Sequence, residues 1–195
     1  MNQAADYLLE RGLVGLSLRE LATAVNVSPR MLVHHFGSRG ELILLALREA
    51  RARQREAFEE HLAPQTERRY ADVLADTWHW FGSDEARPYL RLFGQLHALA
   101  AVPGSPHAEF LRESVLDWLP IVKDGFVADG LDQATALEMA TLTLAVVRGL
   151  LQDGNAIGDQ QRTSTAFRRY VSLLRLTERN KSDDGPQSAL RHSPR

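Results

Sequence analysis

The stretch SLRELATAVNVSPRMLVHHFGSRGEL, residues 17–42, decides how this chain folds. Ser17 and Glu20 have the spacing of a capping box, in which a hydroxyl and a carboxylate satisfy backbone N–H groups at a helix start. The apolar residues that follow recur at the spacing of one buried helical stripe: Leu18, Leu21, Ala22 and Val25. The sequence therefore predicts a capped, amphipathic helix that begins directly after Ser17.

A second, short helix is predicted after a tight turn. Ser28 is a favourable N-cap, and Pro29 occupies the first helical position, where its missing N–H is not needed. A further capping box at Ser38 and Glu41 predicts a long helix behind it. Together with a first helix over residues 4–11, this order is typical of a helix-turn-helix head.

The short helix has the pattern of a major-groove reader. Leu32 and Phe36 would face the core, which turns outward Arg30, Met31, Val33 and His34. Residues 26–55 hold six arginines against two glutamates, a local excess of four positive charges in a chain of net charge -2. Such a patch is the footprint expected for phosphate contact. The alternative is that the four arginines of residues 48–55 only form a solvent-exposed helix face.

The composition excludes several classes of protein. The chain has 195 residues, of which 44% are apolar and 25% charged, and this balance is typical of a soluble globular protein. It has no cysteine, which excludes disulfide frameworks, thiolate metal sites and thiol catalysis. No uninterrupted apolar run approaches the roughly 20 residues of a membrane span, and the first residues do not resemble a secretory signal. We therefore expect no membrane partner.

Helical periodicity continues to the end of the body, so we predict an all-α fold of about nine helices. The predicted domains are a helix-turn-helix head over residues 1–45 and a helical ligand-binding and dimerisation bundle over residues 46–179. Residues 180–195 are polar and are predicted to be a disordered tail.

The body carries large apolar side chains on consecutive predicted helices, a composition typical of ligand cavities in helical proteins. The candidate lining residues are Trp78, Phe81, Tyr89, Phe93, His97, Trp118, Val122 and Phe126. Polar groups could come from His79, Gln95, Thr143 and Arg148. The alternative is that an aromatic stripe at helical spacing is only core.

The last two predicted helices have the pattern of an interface. One apolar face is predicted on each, formed by Leu142, Val146, Gly149, Leu150, Phe167, Val171 and Leu174. A single helix-turn-helix makes few DNA contacts, and a two-fold partner doubles them over a pseudo-palindromic site. Ordinary packing within one chain is the alternative.

No catalytic pattern stands out. Asp72, Asp76 and His79 have a spacing that could imitate a metal site, but no second histidine lies near, and solvated acids are the favoured interpretation. There is no nucleophile–base pattern or phosphate-binding glycine loop. We therefore predict no enzyme activity, no metal and no cofactor.

Residues 12–22 and 27–42 together resemble the N-terminal domain of the tetracycline-repressor (TetR) family. The resemblance implies that Ser17 caps the second helix and touches a phosphate. It implies that the groove is faced by Ser28, Arg30, Met31 and His34. Pro29 and Val33, on the same short helix, are also assigned to the DNA-binding surface. Arg39 stands where the family usually has a phosphate-contacting lysine, and Val33 stands where it favours a tyrosine.

The resemblance and the residues together favour a cytoplasmic, homodimeric transcriptional regulator of double-stranded operator DNA. Most such proteins are repressors released by a small molecule, here expected to be mostly apolar. Two alternatives remain open: a helical binding or interaction module that has lost operator binding, and a helical enzyme.

Overall fold

A computed structural model describes residues 2–65 and 67–183, except for the side chains of residues 32, 33 and 177–183. This part of the chain forms helices and no strands, as the sequence predicts. The helices are α1 (Asn2–Arg11), α2 (Leu18–Ala24), α3 (Pro29–Phe36), α4 (Arg39–Leu62), α5 (Tyr70–Phe81), α6 (Arg87–Ala100), α7 (Ala108–Ala128), α8 (Gln133–Ile157) and α9 (Gln160–Asp183).

The head, α1 to α3, is held by the local signals found in the sequence. The Glu20 N–H donates to Ser17 Oγ, and the Ser17 N–H donates to the Glu20 carboxylate, each at 3.2 Å, so the predicted capping box is present. Asn26 adopts a φ of 55° in the turn that follows, a left-handed conformation that asparagine tolerates. Ser28 Oγ then accepts the Met31 N–H at 3.2 Å and starts α3.

The long helix α4 joins the head to the body. Ser38 Oγ accepts the Glu41 N–H at 3.1 Å at its start, and its 24 residues span about 36 Å. Leu42 and Leu47 are buried in the core of the head, whereas Phe58 and Leu62 are buried in the core of the body. A displacement of this helix would therefore change the packing of both the head and the body.

The core of the head extends beyond the predicted boundary at residue 45. Leu92 and Leu96 of α6 and Phe110 of α7 are buried in the same cluster as Leu8 and Leu21. The head is thus packed directly on α6, and Phe110 of α7 belongs to the same core.

The body is a bundle in which α8 and α9 run beside α7 and α5. Helix α8 continues through Gly154 to Ile157 and ends at Gly158. Gly154 is buried against α9, where a Cβ would lie 3.1 Å from Thr163 Oγ1, so close packing explains this glycine inside the helix. The last helix extends to Asp183, and the rest of the predicted tail, residues 184–195, lies outside the described residues.

Gly125 of α7 marks the tightest approach in the body, and it carries our first prediction. A Cβ at this position would lie 2.2 Å from the Tyr70 ring. Because Tyr70 is 1% exposed and its ring packs on Phe126, it has little room to move. We expect Gly125→Ala to lower the free energy of unfolding by about 1–3 kcal/mol, measured by urea denaturation.

Gly94→Ala is the matched control, since a Cβ at Gly94 meets nothing within 4 Å. Alanine in a helix is favoured over glycine, so this variant is expected to be as stable as the original chain or slightly more stable. Equal stability of the Gly125 and Gly94 variants would contradict the tight packing of Tyr70 on α7.

Candidate nucleic-acid interface and ligand cavity

The outer surface of α3 presents most of the predicted groove-facing side chains. Pro29, Arg30 and His34 are exposed, and Met31 is 49% exposed. The preceding Ser28 is exposed too. The Val33 side chain, also predicted to face the groove, lies outside the described residues. The outer face of α3 therefore presents a cationic side chain, Arg30, beside an apolar one, Met31.

The positive patch is narrower than its arginine count indicates. Arg53 pairs with Asp6 at 2.5 Å and with Glu49 at 2.9 Å, and Arg55 pairs with Glu59. These two arginines are half-buried or exposed, but their charges are compensated within the chain. Arg51 is not on the surface at all, since it is 7% exposed. For residues 51–55 the interpretation as phosphate contacts therefore loses its support.

Arg39 and Ser17, both predicted to touch phosphates, are engaged inside the head. The Arg39 guanidinium donates to the Leu16 carbonyl and so braces the loop before α2, although the side chain remains exposed. Ser17 Oγ donates to the Glu20 carboxylate at 2.7 Å. This hydrogen bond from Ser17 lowers the pKa of Glu20 below its ordinary value.

A cavity of about 120 Å³ lies in the body, among α4, α5, α6, α7 and α8. Four of the eight predicted ligand-binding residues line it: Phe81, Phe93, His97 and Trp118. Further apolar lining comes from Phe58, Leu62, Leu90, Val115, Leu144 and Val147. The cavity therefore touches both the helix that carries the head and helix α8.

The other four predicted residues lie elsewhere in the body. The Trp78 ring stacks on Phe167 at 4.3 Å, and Tyr89 packs edge-on against Phe58 at 5.9 Å. Val122 and Phe126 are 1% exposed within the core. Their helical spacing correctly predicts an apolar face, but these side chains pack in other parts of the body and do not line the cavity.

Arg51 of α4 is the most constrained polar group at the cavity. Its guanidinium donates to Gln54 Oε1 at 2.8 Å, to the Ser114 carbonyl at 2.7 Å and to the Asp117 carboxylate at 3.3 Å. The Cζ atom lies 4.5 Å from the centre of the Trp118 ring, a cation–π distance. Burial lowers the pKa of Arg51, and Asp117 offsets part of this effect, so the group remains charged. It ties α4 to α7.

His97 and Arg148 are the other cationic side chains of the lining. His97 Nδ1 lies 2.7 Å from the Phe93 carbonyl and so carries the proton, which leaves the buried Nε2 without a partner among the described residues. Burial lowers the pKa of His97, the nearby charge of Arg148 lowers it further, and the neutral ring is favoured at neutral pH. Arg148 is half-buried, and burial lowers its pKa as well.

Two side chains of α6 hold the end of α1, and the sequence analysis missed this role. Arg91 donates to the carbonyls of Leu9 and Glu10 at 2.5 and 2.6 Å, and Gln95 Oε1 accepts the Leu13 N–H at 2.7 Å. The sequence predicts Gln95 as a polar group of the cavity. It faces the head instead, on the same helix whose Phe93 and His97 line the cavity.

The remaining polar candidates are satisfied outside the cavity. Thr143 Oγ1 bonds with the Tyr170 hydroxyl at 2.6 Å, and His79 is exposed. Asp72 pairs with Arg175 and Asp76 with Arg68, as expected for acids that are not metal ligands. Among the described residues, no group of three potential metal ligands comes together.

The residues predicted to form an interface on α8 and α9 differ in their exposure. Leu142 is 49% exposed, Gly149 is exposed, and Val146 and Leu150 are partly buried. The α9 residues must be corrected: 2–3% exposure places Phe167, Val171 and Leu174 in the core of their own protomer. That face of α9 covers α5, and the exposed leucines of α9 are Leu173 and Leu176.

Helix α8 is unusual for its exposed apolar length. Of the described helices it alone is long and apolar enough to cross a membrane by length and composition, and 17% of its most apolar window is buried. The sequence predicts no membrane span, because no uninterrupted apolar run approaches about 20 residues.

The head matches a known family. The family model for bacterial regulatory proteins of the TetR family matches residues 1–46, which contain α1 to α3 and the start of α4. The head of the chain is therefore similar to the head of TetR-family proteins. The resemblance stated from residues 12–22 and 27–42 is thereby confirmed. No curated protein matches the chain.

Solved structures extend the likeness from the head to the whole fold. A transcriptional regulator from Rhodococcus sp. Rha1 is 25% identical with a TM-score of 0.70, covering 88% of this chain and 91% of that one. GusR from Salmonella enterica is 22% identical with a TM-score of 0.64, covering 89% and 91%. A TetR transcriptional regulator from Legionella pneumophila is 16% identical with a TM-score of 0.61, covering 88% and 92%.

These likenesses confirm the predicted fold, a helix-turn-helix head on a helical body. The TetR-family fold supports a DNA-binding transcriptional regulator, and the family's members are regulators rather than enzymes. The groove-facing, cavity and interface residues assigned above remain predictions of this chain's own sequence and geometry.

Proposed function

We propose that the protein is a cytoplasmic homodimeric repressor that leaves its operator when a small, mostly apolar effector enters the body. One observation carries this proposal: α4 and α6 each contact the head at one end and line an apolar cavity at the other. A head that presents Arg30 and Met31 supplies the DNA contacts, and the cavity supplies the place for an effector.

Direct reading of bases is assigned to the exposed face of α3. An arginine can bind guanine O6 and N7 with two hydrogen bonds, and an apolar side chain such as Met31 can contact a thymine methyl group. Arg39 sits at the first turn of α4 and would contact a phosphate while its other N–H groups brace the Leu16 loop. His34 is exposed and would lie against the groove or the backbone.

Dimerisation is assigned to the outer face of α8 with the exposed edge of α9. Leu142, Ala145 and Gly149 are exposed at helical spacing on this face, and Leu176 is 55% exposed on α9. A large exposed apolar surface on a soluble protein marks an interaction site. Two copies joined here by a two-fold axis would bury the apolar length of α8 and set two heads for successive major grooves, about 34 Å apart.

Release from DNA follows from a shift between two states of the body. The effector can favour the state with misplaced heads only if it binds that state more tightly. The elements that would carry the change are α4, through Arg51 and the cavity-lining Phe58, and α6, through His97 at the cavity and Gln95 at the head.

The α6 contact gives a second prediction. Gln95→Ala removes the acceptor of the Leu13 N–H. Leu13 is only 9% exposed, so this N–H would be left without a hydrogen bond. We expect the free energy of unfolding to fall by about 1–3 kcal/mol and the amides at the end of α1 to exchange faster. Hydrogen exchange read out by mass spectrometry measures this, with Gln65→Ala as control, since Gln65 bonds only the exposed Arg68. Faster exchange confined to α6 would contradict the role of Gln95 in holding the end of α1.

A mobility-shift assay with the DNA upstream of the protein's own gene tests the function. We expect a shifted band at low salt, lost steeply as salt rises because phosphate contacts release counterions. Failure of a confirmed dimer to shift any fragment near the promoter would favour the alternative, a helical binding module without operator binding.

A further inference from the structure

We propose that the cavity takes a small organic acid, an apolar body the size of one ring or a short chain that carries a single carboxylate bound by Arg148. This assignment rests on the proposed function for its regulatory meaning, but binding itself can be measured without DNA. It narrows the effector from an apolar molecule to an amphipathic anion.

The charges of the cavity wall carry the argument. Its lining contains two arginines, Arg51 and Arg148, and among its described residues no aspartate or glutamate. Arg51 is compensated, because Asp117 and the Ser114 carbonyl accept its hydrogen bonds. Arg148 is half-buried and makes no hydrogen bond or ion pair with any residue that the structure describes. A partly desolvated guanidinium without a counter-ion is a ready binding group for an anion.

The unpartnered nitrogen of His97 is a second, independent feature of the same wall. Nδ1 is committed to the Phe93 carbonyl, and Nε2 is buried with no partner among the described residues. A buried polar atom without a hydrogen bond is unfavourable. Nε2 of the neutral ring can only accept, so a carboxylate gains affinity here when the imidazole takes up a proton and donates it to the anion. His97 and Arg148 lie close enough for the arginine charge to act on the imidazole. The polar end of the ligand therefore belongs between α6 and α8.

The size and the remaining lining set the body of the ligand. An engineered apolar cavity of about 150 Å³ holds one benzene molecule, and this cavity measures about 120 Å³. Phe81, Phe93 and Trp118 supply flat apolar walls. Benzoate and hexanoate are suitable probes, because each carries one ring or short chain for the cavity and one carboxylate for Arg148. Each also has a neutral amide of nearly the same shape.

Calorimetric titration of the full-length dimer with benzoate, hexanoate, benzamide, hexanamide and benzylamine tests the assignment. We expect at least one of the acids to bind, at least about 10-fold more tightly than its amide, since hydrogen bonds to charged groups are the stronger ones. The cationic benzylamine should not bind, because it would meet two arginines.

Arg148→Met should abolish the preference for the acid, and Arg148→Lys should keep part of it. The matched control is Arg112→Met, which removes an exposed arginine that pairs with Glu109 and is not among the lining residues. Circular dichroism establishes that each variant is folded. If an amide binds as tightly as its acid, if Arg148→Met behaves like Arg112→Met, or if no acid binds at about 10 mM, the assignment is overturned.

The mobility-shift assay separates this assignment from the proposed function. An acid that binds through Arg148 and releases DNA supports both. An acid that binds through Arg148 to a DNA-bound dimer without releasing it supports the assignment and contradicts the effector role. A dimer that binds DNA but shows no preference for acids keeps the DNA-binding function and overturns the assignment.

Discussion

Leu142→Asp is expected to convert the protein from a dimer to a monomer and to weaken operator binding by at least about 100-fold. The side chain is 49% exposed on the outer face of α8, where the proposed partner would cover it. In a two-fold interface each substitution occurs twice, so two carboxylates would be desolvated without partners. Sedimentation velocity measures the mass against the 21.8 kDa of one chain, and a mobility-shift assay measures the affinity.

The matched control for this prediction is Leu116→Asp. Leu116 of α7 is 46% exposed, so the same change is made at nearly the same exposure on another helix. We expect this variant to remain a dimer with unchanged DNA affinity. If Leu142→Asp also remained a dimer, the outer face of α8 would not be the interface.

Arg30→Ala and Arg39→Ala are expected to weaken DNA binding in different ways. Loss of Arg30 should change which base is preferred at one position of each half-site, a discrimination worth about 1–3 kcal/mol for a bidentate contact. Loss of Arg39 should weaken binding to all sequences alike and reduce the salt slope by about 1 per head, as expected for a phosphate contact. Binding to a set of operator variants at several salt concentrations measures both effects.

The interpretation of the Arg39 variant requires a stability measurement, because its guanidinium also donates to the Leu16 carbonyl. Arg87→Ala is the control, since Arg87 is exposed on α6 and pairs with Asp84 at 2.8 Å. Equal loss of affinity and equal salt dependence for the Arg30 and Arg39 variants would contradict their separate roles.

Most of the head could be predicted from the sequence because its signals are local. The Ser17–Glu20 capping box, the Pro29 helix start and the stripe through Leu21 each act over a few residues, and each is present as predicted. Half of the predicted cavity residues were found for a similar reason. Helical spacing identifies which side chains are buried, and Phe93 and Trp118 follow it.

Helical spacing does not reveal which element a buried face packs against. The predictions of the interface residues and of the surface arginines depended on that partner. Phe167 has the periodicity of an interface residue, but Trp78 of α5 covers it within one chain. The sequence predicts Arg51 as a surface arginine, because its charge is a stronger indication of exposure than its helical position is of burial. Its position on the same stripe as Leu47 and Phe58 was the available indication of burial, and its acceptors on α7 are 63 and 66 residues away.

The shared core of the head and the body bears on how such proteins can diversify. Recombination at residue 45 would separate Leu8 and Leu21 from the leucines of α6 that complete their packing, so simple chimaeras between distant relatives should misfold. A new operator is more accessible through point substitutions at exposed positions such as Arg30 and Met31, which leave that packing intact. The two specificities, for operator and for effector, are therefore expected to be inherited together and to change one residue at a time.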